Sequence, residues 1–193
     1  MAGKRKSEMP NIARYPFQER CDYLMLVAAV AASDGYVNPD ELTLLRSWMD
    51  SFELSDKGRQ EVMEVIQNQP LSLESIQKRL AKSELVFSVI LDMMGMAMAD
   101  GVLMDKEIEL LREVSQQLKI TKRDFDILIE FVHSAHQAST LRNPEPLYEH
   151  NIDSAFTLMR KRKVRLFPHT LLCATSPEYD QHLKKRWIRF RKN

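Results

Sequence analysis

Asp34, Gly35 and Glu41 stand in the pattern Asp-Gly-x-apolar-x-x-x-Glu, and Asp100, Gly101 and Glu107 repeat it 66 residues later. Carboxylates at this spacing are hard oxygen ligands, and the pattern matches the second half of an EF-hand calcium loop. The first half is missing, because its oxygen-bearing positions hold Val30 and Ala32 in one copy and Met96 and Met98 in the other. A calcium cage takes about six to eight oxygens, so one loop alone does not hold the ion. If the two turns converge, Asp34, Glu41, Asp100 and Glu107 form one shared site for calcium, magnesium or zinc. The competing reading is helix capping. Asp-Gly ends helices, with Gly35 and Gly101 as left-handed caps, and Glu41 is the third residue of a capping box opened by Asn38. In the second copy Met104 stands at the Asn38 position, where it cannot cap. Asp105 then takes that role and leaves Glu107 without a place in the box. Both readings stay open at this point.

The elements that position these carboxylates come from the same duplication. Ala31 to Arg46 matches Ala97 to Arg112 at a constant offset, including Leu44-Leu45-Arg46 against Leu110-Leu111-Arg112. A fixed-period match marks an internal duplication. Each copy reads as an Ala-rich buried helix, a short turn and an amphipathic helix. Leu24, Val27, Ala28 and Ala31 recur at helical spacing from Pro16 to Ser33. Asn38, Pro39 and Glu41 open a second helix that turns Leu42, Leu45, Trp48 and Met49 inward. Ser55 caps a third helix that stops before Pro70, and Ser72 opens a short fourth. Leu85 to Ala99 and Lys106 to Leu118 repeat the first pair. Thr121, with Asp124 three residues on, caps a seventh helix running to about Ala138. Asn143-Pro144-Glu145-Pro146 breaks the pattern and marks a boundary. The expected organisation is a flexible basic leader over 1–13, a helical domain over 14–139 and a basic extension over 140–193, itself partly helical.

Composition supports an all-α protein. The 193 residues include 5 Gly and 11 Met, which suits helical cores better than sheets. A net charge of +1 selects no partner class. Cys21 and Cys173 fit no metal or redox spacing, and reduced thiols in the cytoplasm are expected. The apolar runs from Tyr23 to Ala32 and from Leu85 to Ala99 fall short of the roughly 20 residues of a spanning helix. No export signal is visible, so the expected location is cytoplasmic, with room for peripheral membrane association.

The extension concentrates positive charge. Arg160, Lys161, Arg162, Lys163 and Arg165 form one cluster, and Lys184, Lys185, Arg186, Arg189 and Arg191 form another. Tyr179, Leu183, Trp187 and Phe190 lie as an apolar stripe within the second cluster. A basic amphipathic helix of this kind docks on nucleic acid, on an anionic membrane surface or on an acidic protein. Alternatively the stripe packs onto the helical body and the charges remain solvated. Glu130 and His133 make a Glu-x-x-His, but di-iron bundles need a second such motif. No phosphate loop, nucleophile elbow or zinc-protease motif is present, so no enzymatic activity is expected.

The paired Ala-x-x-Asp-Gly turns, each with Leu-Leu downstream, resemble the TerB-like family of tellurite-resistance proteins. The stretch from Ala97 to Phe131 is the closer copy, and the resemblance covers about residues 15–139. It implies a bundle of about seven helices in pseudo-twofold halves. It also implies divalent-cation binding through Asp34, Glu41, Asp100 and Glu107, with protein partners in a stress-response assembly. Co-chaperone activity, found where this domain accompanies a J-domain, is not implied, because no His-Pro-Asp occurs. The alternative function is a scaffold whose basic extension binds nucleic acid, an anionic membrane surface or an acidic partner.

Overall fold

The structure, a computed structural model, describes residues 11–67, 72–99, 103–140, 146–164 and 177–192. The described residues contain helices and turns and no strand. After a 3-10 turn at Ile12–Arg14 come α1 (Phe17–Ala31), α2 (Pro39–Ser51), α3 (Asp56–Gln67), α4 (Glu74–Leu80), α5 (Val86–Ala97), α6 (Asp105–Gln117), α7 (Lys122–Thr140), α8 (Pro146–Lys161) and α9 (Pro177–Lys192).

The duplication is visible in the hydrogen bonds. Pro39 opens α2 and Asp105 opens α6, while Asp56 opens α3 and Lys122 opens α7, an offset of 66 in both cases. Glu53 and Lys119 both take a positive φ, 50° and 61°, just after these helices. There the Leu54 N–H reaches the Met49 carbonyl and the Ile120 N–H reaches the Ser115 carbonyl, each at 2.9 to 3.0 Å. This is the closure that ties the last carbonyls of a helix to the residue beyond its left-handed cap. The next helix starts alike in both halves. Ser55 Oγ accepts from Gly58 N at 3.4 Å, and Thr121 Oγ1 accepts from Asp124 N at 3.2 Å.

α1 and α5 form the centre. Tyr23, Leu24, Val27 and Val30 are buried on α1, as are Val89, Ile90, Met93 and Met94 on α5. From Cys21 onward α1 is buried on nearly all sides, as is α5, which places them inside a bundle rather than on its surface. α1 packs on α3, α4, α2 and α6 as well as on α5, and α7 lies against α5 and α6. The amphipathic helices turn one stripe inward: Leu45, Trp48 and Met49 from α2, Leu111 and Val114 from α6.

Three boundaries differ from expectation. α1 ends at Ala31, and Gly35 closes a turn beyond it rather than the helix itself. Ser72 is not the cap of α4, whose N-cap is Leu73 with no side-chain bond. α6 starts at Asp105, with Met104 as its N-cap.

The last two helices are packed on the bundle. α8 lies along α7, with Ile152, Ala155, Phe156 and Met159 buried in the common core. Phe131 of α7 meets Phe156 at a ring-centroid distance of 5.8 Å, and Phe156 in turn meets Trp187 of α9 at 5.3 Å. Such tilted aromatic pairs contribute about 1 kcal/mol each beyond area burial. Leu183 and Trp187 are fully buried, so this part of the stripe on α9 covers the core. The expected boundary at 143–146 falls partly outside the described residues.

Candidate functional site

The first acidic turn is built from local hydrogen bonds. Asp34 Oδ1 accepts from the Tyr36 N–H at 2.8 Å, an Asx turn. Gly35 takes φ +90° and donates its N–H to the Ala32 carbonyl at 3.0 Å. A side chain there would be strained even though space is open. Asn38 Oδ1 then accepts from the N–H groups of Asp40 and Glu41, at 2.9 and 2.8 Å. Glu41 Oε2 answers by accepting from the Asn38 N–H at 3.0 Å. Glu41 is buried while Asp34 is exposed.

The second turn repeats half of this. Glu107 Oε2 accepts from the Met104 N–H at 2.8 Å, and the Glu107 residue is buried. The expectation that Asp105 caps and Glu107 loses its place in the box is corrected. The helix begins one residue earlier than that reading requires, so Glu107 occupies the third position and serves the N-cap backbone as Glu41 does. Met104 gives no side-chain cap bond and is 50% exposed. Asp100 and Gly101 lie outside the described residues.

The expected four-carboxylate site of Asp34, Glu41, Asp100 and Glu107 lies partly outside the described residues. Glu41 and Glu107 each give one carboxylate oxygen to a backbone N–H, and Asp34 gives one to its own turn. Among the described residues no group of three His, Cys, Asp or Glu side chains is placed to hold a metal ion. Glu130 and His133 are exposed on α7.

The basic flank is divided between structure and solvent. The Arg162 guanidinium donates to Asp124 Oδ2 of α7 and lies 5.6 Å from the centre of the Phe87 ring. Arg186 donates to Glu149 and, at 2.8 Å, to Asp153, both on α8. Desolvation lowers the Arg186 pKa and these carboxylates raise it, with a net shift upward. Arg160 sits 4.7 Å from the Phe190 ring centre. Lys161, Lys163, Lys185 and Arg189 are exposed, and none of them has an ion pair among the described residues. Lys184 is half-buried, the Arg191 side chain is not among those described, and Arg165 lies outside the described residues.

Sequence reasoning missed two buried polar links. Arg79 of α4 grips Asp22 of α1 through both carboxylate oxygens at 2.7 Å, with Gln18 adding a third bond at 2.9 Å. The Tyr23 hydroxyl donates to Asp92 Oδ2 at 2.5 Å and joins α1 to α5. Burial, with the Asp92 charge adding to it, pushes the Tyr23 pKa well above its ordinary range. The visible signal was an aspartate inside each otherwise apolar helix, since a buried carboxylate requires partners.

A groove of about 620 Å³ runs between α7 and α8, with Arg123, His150, Thr157 and Lys161 on its walls. It adjoins a second recess over Lys122, Asp126 and Glu130. No helix among the described residues is long and apolar enough to cross a membrane.

No curated protein and no solved structure matches the chain. The family model described as tellurite resistance protein TerB matches residues 20–129, from α1 into α7. That is more than half of the chain, and it spans both copies of the capped turn. The chain therefore belongs to the TerB family.

Proposed function

We propose that the chain is a non-enzymatic TerB-like helical module that acts through protein partners in a tellurite-resistance-like stress response. The observation that carries this reading is the family match over residues 20–129. The polar groups of the paired turns fit the same reading. Glu41 and Glu107 hold helix starts, which suits a rigid module rather than a reacting centre. This reading does not depend on a divalent cation, whose binding through Asp34, Glu41, Asp100 and Glu107 is a separate proposal.

The test is genetic and physical together. Deleting the gene in its own host should sensitise the cells to tellurite. The wild-type gene should restore growth, and a variant with a disrupted core, Leu45→Asp, should not. Growth in tellurite unchanged by the deletion would overturn the stress-response reading. A melting temperature that rises with millimolar calcium, magnesium or zinc, and loses that rise in Asp34→Asn, would support the cation.

A second reading rests on Lys163, Lys185 and Arg189, which are exposed and have no ion pair among the described residues. Exposed cations of this kind suit nucleic acid or an anionic membrane. Salt-sensitive retention on heparin, lost in the triple glutamine variant, would support it. Salt-independent retention would oppose it.

A further inference from the structure

The α7–α8 groove has the size of a small-molecule site rather than that of a nucleic-acid track. Its two acids are already engaged. Asp124 is held by Arg162, and Asp153 by Arg186, which reaches over from α9. Arg123 of α7 and Lys161 of α8 face the same groove, are exposed, and have no ion pair among the described residues. His150, Ser154 and Thr157 supply further polar groups on the α8 wall, above an apolar floor at Ile127 and Leu158. The neighbouring acids of α7 stand in the adjoining recess, where Asp126 is paired with Lys122 at 2.7 Å and Glu130 is exposed.

The position of Arg123 carries the argument further. It lies in the first turn of α7, at the positive end of a 19-residue helix. A cation there opposes the helix dipole, whereas an anion is stabilised. Lys122 in the same turn offsets its charge through Asp126, one turn on. Arg123 has no such offset among the described residues. A residue that works against local stability while facing a cavity is better suited to a ligand than to structure.

We propose that this groove binds a small phosphate-bearing anion, with Arg123 and Lys161 as its two cationic contacts. Arg123 offers a planar fork for two phosphate oxygens and Lys161 a point charge opposite. The site is independent of the family reading and of the exposed cations on α9.

The full-length protein titrated with inorganic pyrophosphate, at ionic strength held constant with chloride, tests it. The expected result is a saturable heat of binding together with a rise in melting temperature. Arg123→Gln and Lys161→Gln should each weaken binding about tenfold, the loss of one charge-assisted contact. Without pyrophosphate, Arg123→Gln should melt no lower than wild type, since it removes a cation from the helix N-terminus. Lys185→Gln, on α9 outside the groove, should bind as wild type does. No saturable binding, binding that survives the double Arg123→Gln, Lys161→Gln variant, or equal weakening by Lys185→Gln would overturn the proposal. So would tighter binding of a single-stranded oligonucleotide than of pyrophosphate, which would assign the charges to nucleic acid instead.

Discussion

The two halves of the duplication use one pair of positions in opposite ways. In the first half Gly58 of α3 lies against Cys21 and Phe17 of α1, so closely that an added Cβ would stand 2.9 Å from each. In the second half the same repeat positions hold Asp124 of α7 and Phe87 of α5. There the pair does not close on itself. Asp124 binds Arg162, and Arg162 covers Phe87. The first half seals its helix pair with the smallest residue available. The second half leaves a carboxylate at that position and recruits α8 to satisfy it. Divergence at these two positions thus gives the second copy a polar link to the end of α8, beside the apolar face that packs α8 on α7.

The sharpest way to break this comparison is to put the second half's residue into the first. Gly58→Asp forces a side chain into the Cys21 and Phe17 contact and buries a carboxylate where the nearby Arg20 is already bonded to the carbonyls of Tyr15, Phe52 and Glu53. The favourable dipole interaction near the start of α3 is worth only about 0.5 kcal/mol. Overpacking and an unpaired buried charge together cost on the order of 4 kcal/mol. Urea denaturation should show a loss of that size, or no folded state. Stability equal to wild type would mean that the close contact of α1 and α3 does not depend on glycine.

A second test uses the thiol in that contact. Burial pushes Cys21 up to about 11 from an ordinary value of 9.0, and the charges of Glu61 and Asp22 add to the shift. The folded state therefore favours the neutral thiol. Its contribution is complete below pH 9 and disappears as pH rises through about 11. Two pH units correspond to about 2–3 kcal/mol. Cys21→Ala, though less stable at neutral pH, should lose less stability than wild type between these limits. Parallel stability curves for the two proteins would show that the thiol does not titrate in the contact.

The converse change in the second half should have a smaller effect, because Arg162 remains partly solvated at 40% side-chain exposure. Asp124→Ala is expected to cost about 1–2 kcal/mol, less than a fully buried pair would. A double-mutant cycle with Arg162→Ala should recover most of that as coupling. Additive losses would show that α8 is held by its apolar face alone.

The readable part of this molecule was local. α2 and the α3 cap were evident from Asn38, Pro39, Glu41 and Ser55, because capping chemistry lies within three residues of the bond it makes. The constant repeat offset carried the same elements into the second half. The stripe of Leu183 and Trp187 was legible as an apolar face, but nothing in it said that Phe156 lies opposite. The Asp22–Arg79 and Tyr23–Asp92 links span 57 and 69 residues, and no local pattern announces a partner at that distance. The α7–α8 groove was hidden for a similar reason. It depends on which lysines and arginines find acids within the fold, and the linear charge clusters mixed the two kinds. Capping of α6 was misread because a methionine at the N-cap suggested that the box was lost. The N-cap side-chain bonds are lost, while the bond from the Met104 N–H to Glu107 is kept.

That half-box gives the finest comparison of the two copies. Asn38 supplies two side-chain acceptor bonds that Met104 does not, while Glu41 and Glu107 make the same bond back to the N-cap N–H. Exchanging the caps should therefore move stability in opposite directions. Asn38→Met should cost about 1 kcal/mol, and Met104→Asn should gain somewhat less, since its helix already stands without the bond. Glutamine can also occupy the third position of a capping box, so Glu41→Gln and Glu107→Gln keep the backbone bond while removing a charge. If the two glutamates serve as caps, both glutamine variants should stay within about 0.5 kcal/mol of wild type. Divalent ions should then have the same effect on them as on wild type. If either glutamine variant lost a metal-dependent gain in melting temperature that wild type shows, the carboxylate charge would have a second role. The capping bond would then be only the resting use of an acidic turn.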